Sequence, residues 1–369
     1  MRVLILGFTK ISYMPYMHFY IEQLKKNNCD THLLYWKRDR TPDSQCPDGV
    51  KSYVLNQCQE DSVPLIYKIG NFYKYRNIAL NILKSQNFDF IIVLHSTPGV
   101  LMSDILTREF KGKYIIDYRD FTYENYTFYK SVIHKLVDNS AVTFVSSDAY
   151  RKYLPKCNHI CTSHNFLRNT LEVRNCRKNK TRNVSPIKIR FWGFIRHQKI
   201  NVTIINKLAN DTRFELHYHG REQKTGRLLK KYCKENNFDN IFFHGEYSPD
   251  FRYEFIQNTD LVHNIYENDT KTINAMGNKY YDGVIFSVPQ ICNEGSFMGE
   301  QVNKNGIGIT INPDSSDFAN EIYNYYHSID WASFENCCDK TLDDIVDQYN
   351  AGINIIEKII HRKKEKNNV

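Results

Sequence analysis

The stretch NAMGNKYYDGVIFSVPQI, Asn274 to Ile291, passes from a polar, glycine-punctuated turn into an aromatic and apolar run ending in Val-Pro-Gln-Ile. A turn, a helix and a buried strand in that order suit a loop that brings backbone N–H groups against an anion. Working outward, short β-rich runs recur on both sides with amphipathic segments between them. Upstream they are Val3 to Gly7, His32 to Tyr35, Phe90 to Leu94, Tyr114 to Asp117 and Ala141 to Val145. From Ile187 the alternation restarts, with strands expected at Ile187 to Gly193, Phe214 to His219, Ile241 to His244, Leu261 to Asn264, Pro289 to Cys292 and Gly308 to Ile311. Such alternation predicts βαβ units and parallel sheets.

Between the two series, LRNTLEVRNCRKNKTRNVSP is polar and basic without an apolar period, and reads as a linker. The last stretch carries Phe318, Ile322 and Tyr325, then Ile345, Tyr349, Ile353, Ile356 and Ile360 at helical spacing. At 369 residues the chain exceeds one ordinary core. The expected division is a first domain over 1–167, the linker over 168–186, a second domain over 187–335 and a C-terminal helix with a basic tail over 336–369. The final helix is expected to pack back on the first domain.

Composition narrows the function classes. A content of 41% hydrophobic and 14% aromatic residues excludes disorder, and no apolar run approaches the roughly 20 residues of a spanning helix. MRVLILGFTK is too short in apolar residues for a secretory h-region and reads as a first strand, so a cytoplasmic location is expected. The ten cysteines lack the framework of a secreted domain and read as reduced thiols. Cys157, Cys161 and His164 lie close together, but no second pair completes a tetrahedral set, and no metal is expected. The net charge of +8 concentrates in 168–182 and at Arg362 to Lys366, without a nucleic-acid motif. A phosphorylated substrate, peripheral contact with an anionic inner membrane, or a solvated linker and tail each account for that charge. Residues 65–84 mix aromatics with Lys68, Lys74 and Arg76 on an expected helix. That helix reads either as a membrane- or acceptor-facing surface or as an ordinary half-buried helix.

Ligands of open parallel sheets bind beyond the carboxyl ends of the strands, so candidate residues should follow strands. The loop after Gly7 lacks GxGxxG, which argues against NAD or FAD. His95 follows the strand ending at Leu94 and can exchange a proton near neutral pH. A loop histidine of purely structural use is the plain alternative. Asp117-Tyr118-Arg119-Asp120 follows the next strand, and Arg119 is expected to bridge the two carboxylates. In the second domain Gly193 ends a strand, and Arg196 and Lys199 follow at about one helical turn, able to clamp a diphosphate.

Together these motifs resemble the GT-B glycosyltransferases, especially the retaining family of bacterial surface-polysaccharide enzymes. MRVLILG, IIDYRD and FVSSDAYRKYL with HNF resemble that family's acceptor domain; IRFWGFIRHQK, FELHYHG, IFFHGEYSPDFRYEFIQNTDLV and QVNKNGIGITINP resemble its donor domain. The likeness covers most of the chain and implies two Rossmann-like domains facing a central cleft. The family pattern of two glutamates around a glycine turn keeps its spacing here, but Asn274 and Asp282 replace both glutamates. By this resemblance the turn Ala275-Met276-Gly277-Asn278-Lys279 binds the donor, offering N–H groups to its diphosphate, and the helix N-terminus near Lys279 favours phosphate. Asn274 then faces the transferred sugar, and Asp282 accepts bonds from ribose hydroxyls.

The expected activity is sugar transfer from a nucleotide-diphosphate sugar to a saccharide or lipid-linked saccharide, in capsule, O-antigen or related biosynthesis. The resemblance implies retention, with no metal or other cofactor and no nucleic-acid partner. In a retaining course His95 positions the donor sugar and Asp120 orients the acceptor; in an inverting course one of them is the general base. A sugar-nucleotide epimerase of the same architecture and a non-catalytic sugar-nucleotide or polysaccharide-binding relative are the competing readings.

Overall fold

A computed structural model describes residues 1–59, 64–166, 168–177, 185–247 and 251–367. The chain forms two compact units, Met1–His164 with Asp347–Val369, and Asn165–Val346.

The first unit is built on a seven-stranded parallel sheet. Its strands are β1 (Arg2–Leu6), β2 (Asp30–Lys37), β3 (Val50–Asn56), β4 (Phe90–Leu94), β5 (Tyr114–Tyr118), β6 (Val142–Val145) and β7 (Ile160–Thr162), in the order β3-β2-β1-β4-β5-β6-β7. β1, β4, β5 and β6 are apolar along nearly their whole length because both faces are covered. The covering helices are α1 (His18–Lys26), α2 (Leu65–Ser85), α3 (Ser96–Leu101), α4 (Ser103–Arg108) and α5 (Thr127–Asp138). Tyr75, Ala79 and Ile82 of α2 join Leu4, Leu6, Ile91 and Ile116 in one core.

The second unit has a six-stranded parallel sheet of β8 (Ile187–Trp192), β9 (Phe214–His219), β10 (Ile241–Phe243), β11 (Leu261–Asn264), β12 (Gln290–Asn293) and β13 (Gly308–Ile311), in the order β10-β9-β8-β11-β12-β13. Its helices are α6 (Gln198–Leu208), α7 (Gln223–Glu235), α8 (Arg252–Gln257), α9 (Asn278–Ile285), α10 (Phe297–Asn305), α11 (Phe318–Ser328) and the first part, as far as Val346, of α12 (Trp331–Asn367). Two cores lie in this unit, one around Ile189, Phe191, Leu216 and Ile205, the other around Trp192, Val262, Tyr281 and Val284.

Two sequence expectations change in detail. The stretch read as an aperiodic linker begins as a 3-10 helix, Arg168–Arg177, with Leu171 and Val173 packed on the second core; residues 178–184 lie outside the described residues. The C-terminal helix starts at Trp331, and from Asp347 onward it belongs to the first unit. There Tyr349 meets Phe19 edge-on at 5.0 Å between ring centroids, and Lys26 pairs with Glu357 at 2.7 Å. None of the described cysteines is in a disulfide, and no described helix is long and apolar enough to cross a membrane.

Candidate active site

In each sheet the strand order reverses once, between β1 and β4 in the first unit and between β8 and β11 in the second. Connections leave such a point in opposite directions, which opens a crevice at the carboxyl ends of the two strands. Both sets of candidate residues follow strands at these points.

In the first unit His95 follows β4 and is the N-cap of α3, with φ 87° and ψ 153°. That backbone region is nearly reserved for glycine, so the imidazole is held there against local strain. Nδ1 accepts from the Thr97 N–H at 3.4 Å, and Nε2 faces Asp120 Oδ2 at 3.4 Å. With Nδ1 accepting, the proton of the neutral ring lies on Nε2, directed at the carboxylate. Arg119 does not bridge Asp117 and Asp120 as the sequence suggested. It lies buried with Asp117, donating from Nη2 to Oδ2 at 2.9 Å and to Ser163 Oγ at 3.1 Å, and stacks on Tyr16. The pair fixes the end of β5 and leaves Asp120 to His95.

In the second unit β8 is followed by Gly193 and β9 by Gly220, both with positive φ. A Cβ on Gly220 would fall 1.7 Å from the Gly193 carbonyl oxygen, so only glycine allows the two strand ends to pass. The loop after Gly193 carries exposed Arg196 and half-buried His197, whose φ is 64°, and exposed Lys199 follows in the first turn of α6. His197 Nδ1 lies 3.2 Å from Glu267 Oε2.

Across the reversal, the loop after β11 supplies Tyr266 and then the turn into α9. Asn274 is buried, its Nδ2 donating to the Thr270 carbonyl at 3.3 Å. Ala275 N–H donates to the Thr272 carbonyl at 3.1 Å, and Met276 leads to Gly277, the N-cap of α9. Asn278 hydrogen-bonds Asn165. The buried Lys279 ammonium donates to the Tyr266 hydroxyl and lies over two rings, Phe191 at 4.0 Å and Tyr266 at 4.8 Å. Lys279 forms no ion pair among the described residues. A buried cation one residue inside a helix N-terminus, with no carboxylate in ion-pair contact and its opposing charge at longer range, Asp282, already held by Trp192 and Arg252, is a built environment for an anion.

Asp282, expected to take ribose hydroxyls, is turned inward. Its Oδ2 accepts from Trp192 Nε1 at 2.9 Å and its Oδ1 lies 3.5 Å from Arg252 Nη2. Burial raises its pKa, opposed by Arg252, Trp192 and Lys279. The carboxylate therefore ties α9 to β8 and α8, and a ribose would have to displace bonds already made.

Cys157, Cys161 and His164 do not gather as ligands: Cys157 Sγ lies 3.7 Å from His159 Nε2, and His164 Nε2 lies 3.0 Å from Gln348 Oε1. Among the described residues, the group able to meet a cation is His197, Glu267 and Asp269, with ligand atoms within 4.8 Å of one another. Asp269 already accepts from the N–H groups of Lys271 and Thr272 at 2.8 and 2.9 Å.

Sucrose-phosphate synthase from Thermosynechococcus elongatus has a similar structure, with a TM-score of 0.72 and 12% identity over 98% of both chains. Anabaena HepE in complex with UDP and glucose aligns with a TM-score of 0.64 and 12% identity, over 98% of this chain and 99% of that one. The fold is GT-B. WaaG, a glycosyltransferase involved in lipopolysaccharide biosynthesis, matches with a TM-score of 0.61 and 14% identity, over 96% of this chain and 99% of that one. No family model matches the chain, and no curated protein matches it in sequence. Of the residues gathered here, the sequence singled out the turn into α9 and passed over Tyr266, Trp192, Arg252 and His197. The aromatic and basic types at those positions were visible, but their convergence depends on crossovers between distant strands.

Proposed function

We propose that the chain transfers a sugar from a nucleotide-diphosphate sugar to the hydroxyl of a saccharide or lipid-linked saccharide, in assembly of a cell-surface polysaccharide such as capsule or O-antigen. The observation that carries this reading is Lys279, a buried ammonium held by Tyr266 and Phe191 at the start of α9 with no carboxylate paired to it. The UDP and UDP-glucose bound by HepE make uridine diphosphate the first nucleotide to test.

Glycosyl transfer passes through an oxocarbenium-like state while negative charge gathers on the departing diphosphate. Lys279 and the first N–H groups of α9 stabilise that charge, with Arg196 and Lys199 adding cations at the start of α6. Asn274 faces the sugar. In a retaining course the departing phosphate takes the acceptor proton, His95 positions the sugar and Asp120 orients the acceptor hydroxyl. Cations and a helix terminus do the work of a metal, so the reaction is metal-independent.

Thermal unfolding in the presence of UDP, GDP, CMP, ADP and their sugars, in EDTA and in Mg²⁺ or Mn²⁺, tests the proposal, since a ligand of the folded state raises apparent stability. The expected result is a selective shift with one nucleoside diphosphate, equal in EDTA, followed by transfer from its sugar. A shift confined to the metal-containing samples would instead point to His197, Glu267 and Asp269 as a metal site. Absence of any shift would overturn the donor site.

A further inference from the structure

Helix α2 is apolar on more sides than the fold can cover. Its inward side, with Tyr75, Ala79 and Ile82, is buried in the first core, and Phe72 packs at 5.5 Å from Phe8. Its outward side is also apolar through the first two turns: Ile66, Tyr67, Ile69 and Tyr73 are 72%, 73%, 57% and 65% exposed. Scattered single exposed apolar residues are ordinary, whereas four large ones within eight positions of one helix mark a contact surface.

The surface has a second part. α5 opens beside Tyr126 and Phe128, which are 64% and 79% exposed. α3 packs against both α2 and α5, and Arg76 of α2 ties the helices together through the Leu101 carbonyl at 2.5 Å and Asp104 at 2.8 Å. All three helices start beyond the carboxyl ends of the strands they follow. Ile66 to Tyr73 and Tyr126 to Phe128 therefore lie toward the same end of the sheet as His95 and Asp120.

Charge selects the occupant. α2 contains Lys68, Lys74 and Lys84 besides Arg76, whose charge Asp104 of α4 offsets, and no acidic residue of its own, and α5 contains Lys130 and Lys135 against the single terminal Asp138. Lys74 donates to a neutral partner, Gln57 Oε1, at 3.2 Å. Aromatic and branched apolar side chains with lysines beside them match the boundary of an anionic bilayer, where tyrosine rings sit at headgroup depth and lysines meet lipid phosphates.

We propose that the outward side of α2, with the first turn of α5, docks the protein on an anionic membrane surface. This surface stands whether or not the chain transfers sugar, and vesicle binding is read separately from nucleotide binding. The full chain is sedimented with vesicles of phosphatidylcholine alone and of phosphatidylcholine with phosphatidylglycerol. Binding is expected with the anionic vesicles and should weaken as salt is raised. The I66S/Y67S/I69S/Y73S variant should lose vesicle partition by at least about tenfold while keeping its melting temperature. As an independent readout, the Tyr73→Trp protein should shift its emission to the blue on anionic vesicles only. Wild-type protein that stays in the supernatant with both vesicle types would overturn the proposal. So would Tyr73→Trp protein whose emission is blind to vesicles, or a concentration-dependent dimer that the four substitutions dissolve, which would assign the surface to a second copy.

Discussion

His95 is held at φ 87° and ψ 153° although an unstrained residue would serve equally well to start α3. Backbone strain of this kind amounts to about 1–3 kcal/mol, while glycine at an N-cap loses only a few tenths relative to good capping residues. His95→Gly should therefore leave urea stability unchanged or raise it by about 1 kcal/mol. With the imidazole gone, turnover should fall about 10²-fold or more at unchanged nucleotide affinity. A lowered midpoint with normal turnover would make His95 a structural residue. Lys279→Met tests the other unit. It removes an interior cation that makes no ion-pair contact and is felt by Asp282 only at longer range, so the ligand-free protein should keep most of its stability, while the nucleoside diphosphate should bind more weakly by about 1.5–3 kcal/mol. Calorimetric titration that finds equal affinity would remove Lys279 from the site. At this scale the sequence was half legible. That Gly277 and Lys279 open a helix could be read because turn chemistry is local. That Asp282 is turned inward could not, because its partners, Trp192 and Arg252, are 90 and 30 residues away in the chain.

Among elements, the ends of β8 and β9 tolerate no side chain at Gly220. Gly220→Ala should destabilise the fold by about 3 kcal/mol or more, read from the denaturant midpoint, because both the positive φ and the contact with Gly193 oppose a Cβ. The flank formed by β8, β9 and β10 makes the protein acid-sensitive. His217 Nδ1 lies 3.0 Å from His244 Nε2, His219 stacks on His244 at 4.2 Å, and Arg190 Nη1 reaches His219 Nε2 at 3.0 Å. Burial first, then Arg190 and His244, bring His217 down to about 2 from the ordinary 6.5, against the Glu215 carboxylate 3.1 Å from its Nε2, which favours the protonated ring. Burial with His244 and Arg190 brings His219 down to about 3. Below pH 6.5 the unfolded chain takes protons that the folded imidazoles refuse. The stability present above that value is lost as pH falls toward 3, by up to about 1.4 kcal/mol per pH unit for each imidazole. Urea midpoints at pH 7.5, 6 and 5 should fall in that order, and less steeply in His217→Gln; a flat series would contradict the account. Strands buried on both faces, such as β1 and β4, are legible as unbroken apolar runs. β3 (VKSYVLN) and β7 (ICT) are not, because an edge strand with exposed polar residues and one of three residues carry little apolar signal.

For the molecule as a whole, residues 347–369 are part of the first unit. Gly352 passes so close to Phe19 and Phe144 that an added Cβ would lie 2.9 Å from Phe19, and Ile356 and Ile360 are buried. A chain ending at residue 346 should therefore lose stability in its first unit and unfold in two calorimetric steps, only the later of which responds to nucleotide. One coincident transition would show that the C-terminal segment contributes little. The sequence allowed this helix to be expected on the first domain from its Ile spacing. It did not reveal that the helix begins at Trp331, inside the second unit. The chain thus enters the second unit after His164 and returns to the first at Asp347, so the polypeptide closes a circuit between them. A single protease cut near the first junction would yield two fragments, the larger carrying the helix that completes the smaller. Such fragments should co-elute and reassemble as a split protein, with the long helix acting as a covalent handle for joining halves expressed apart.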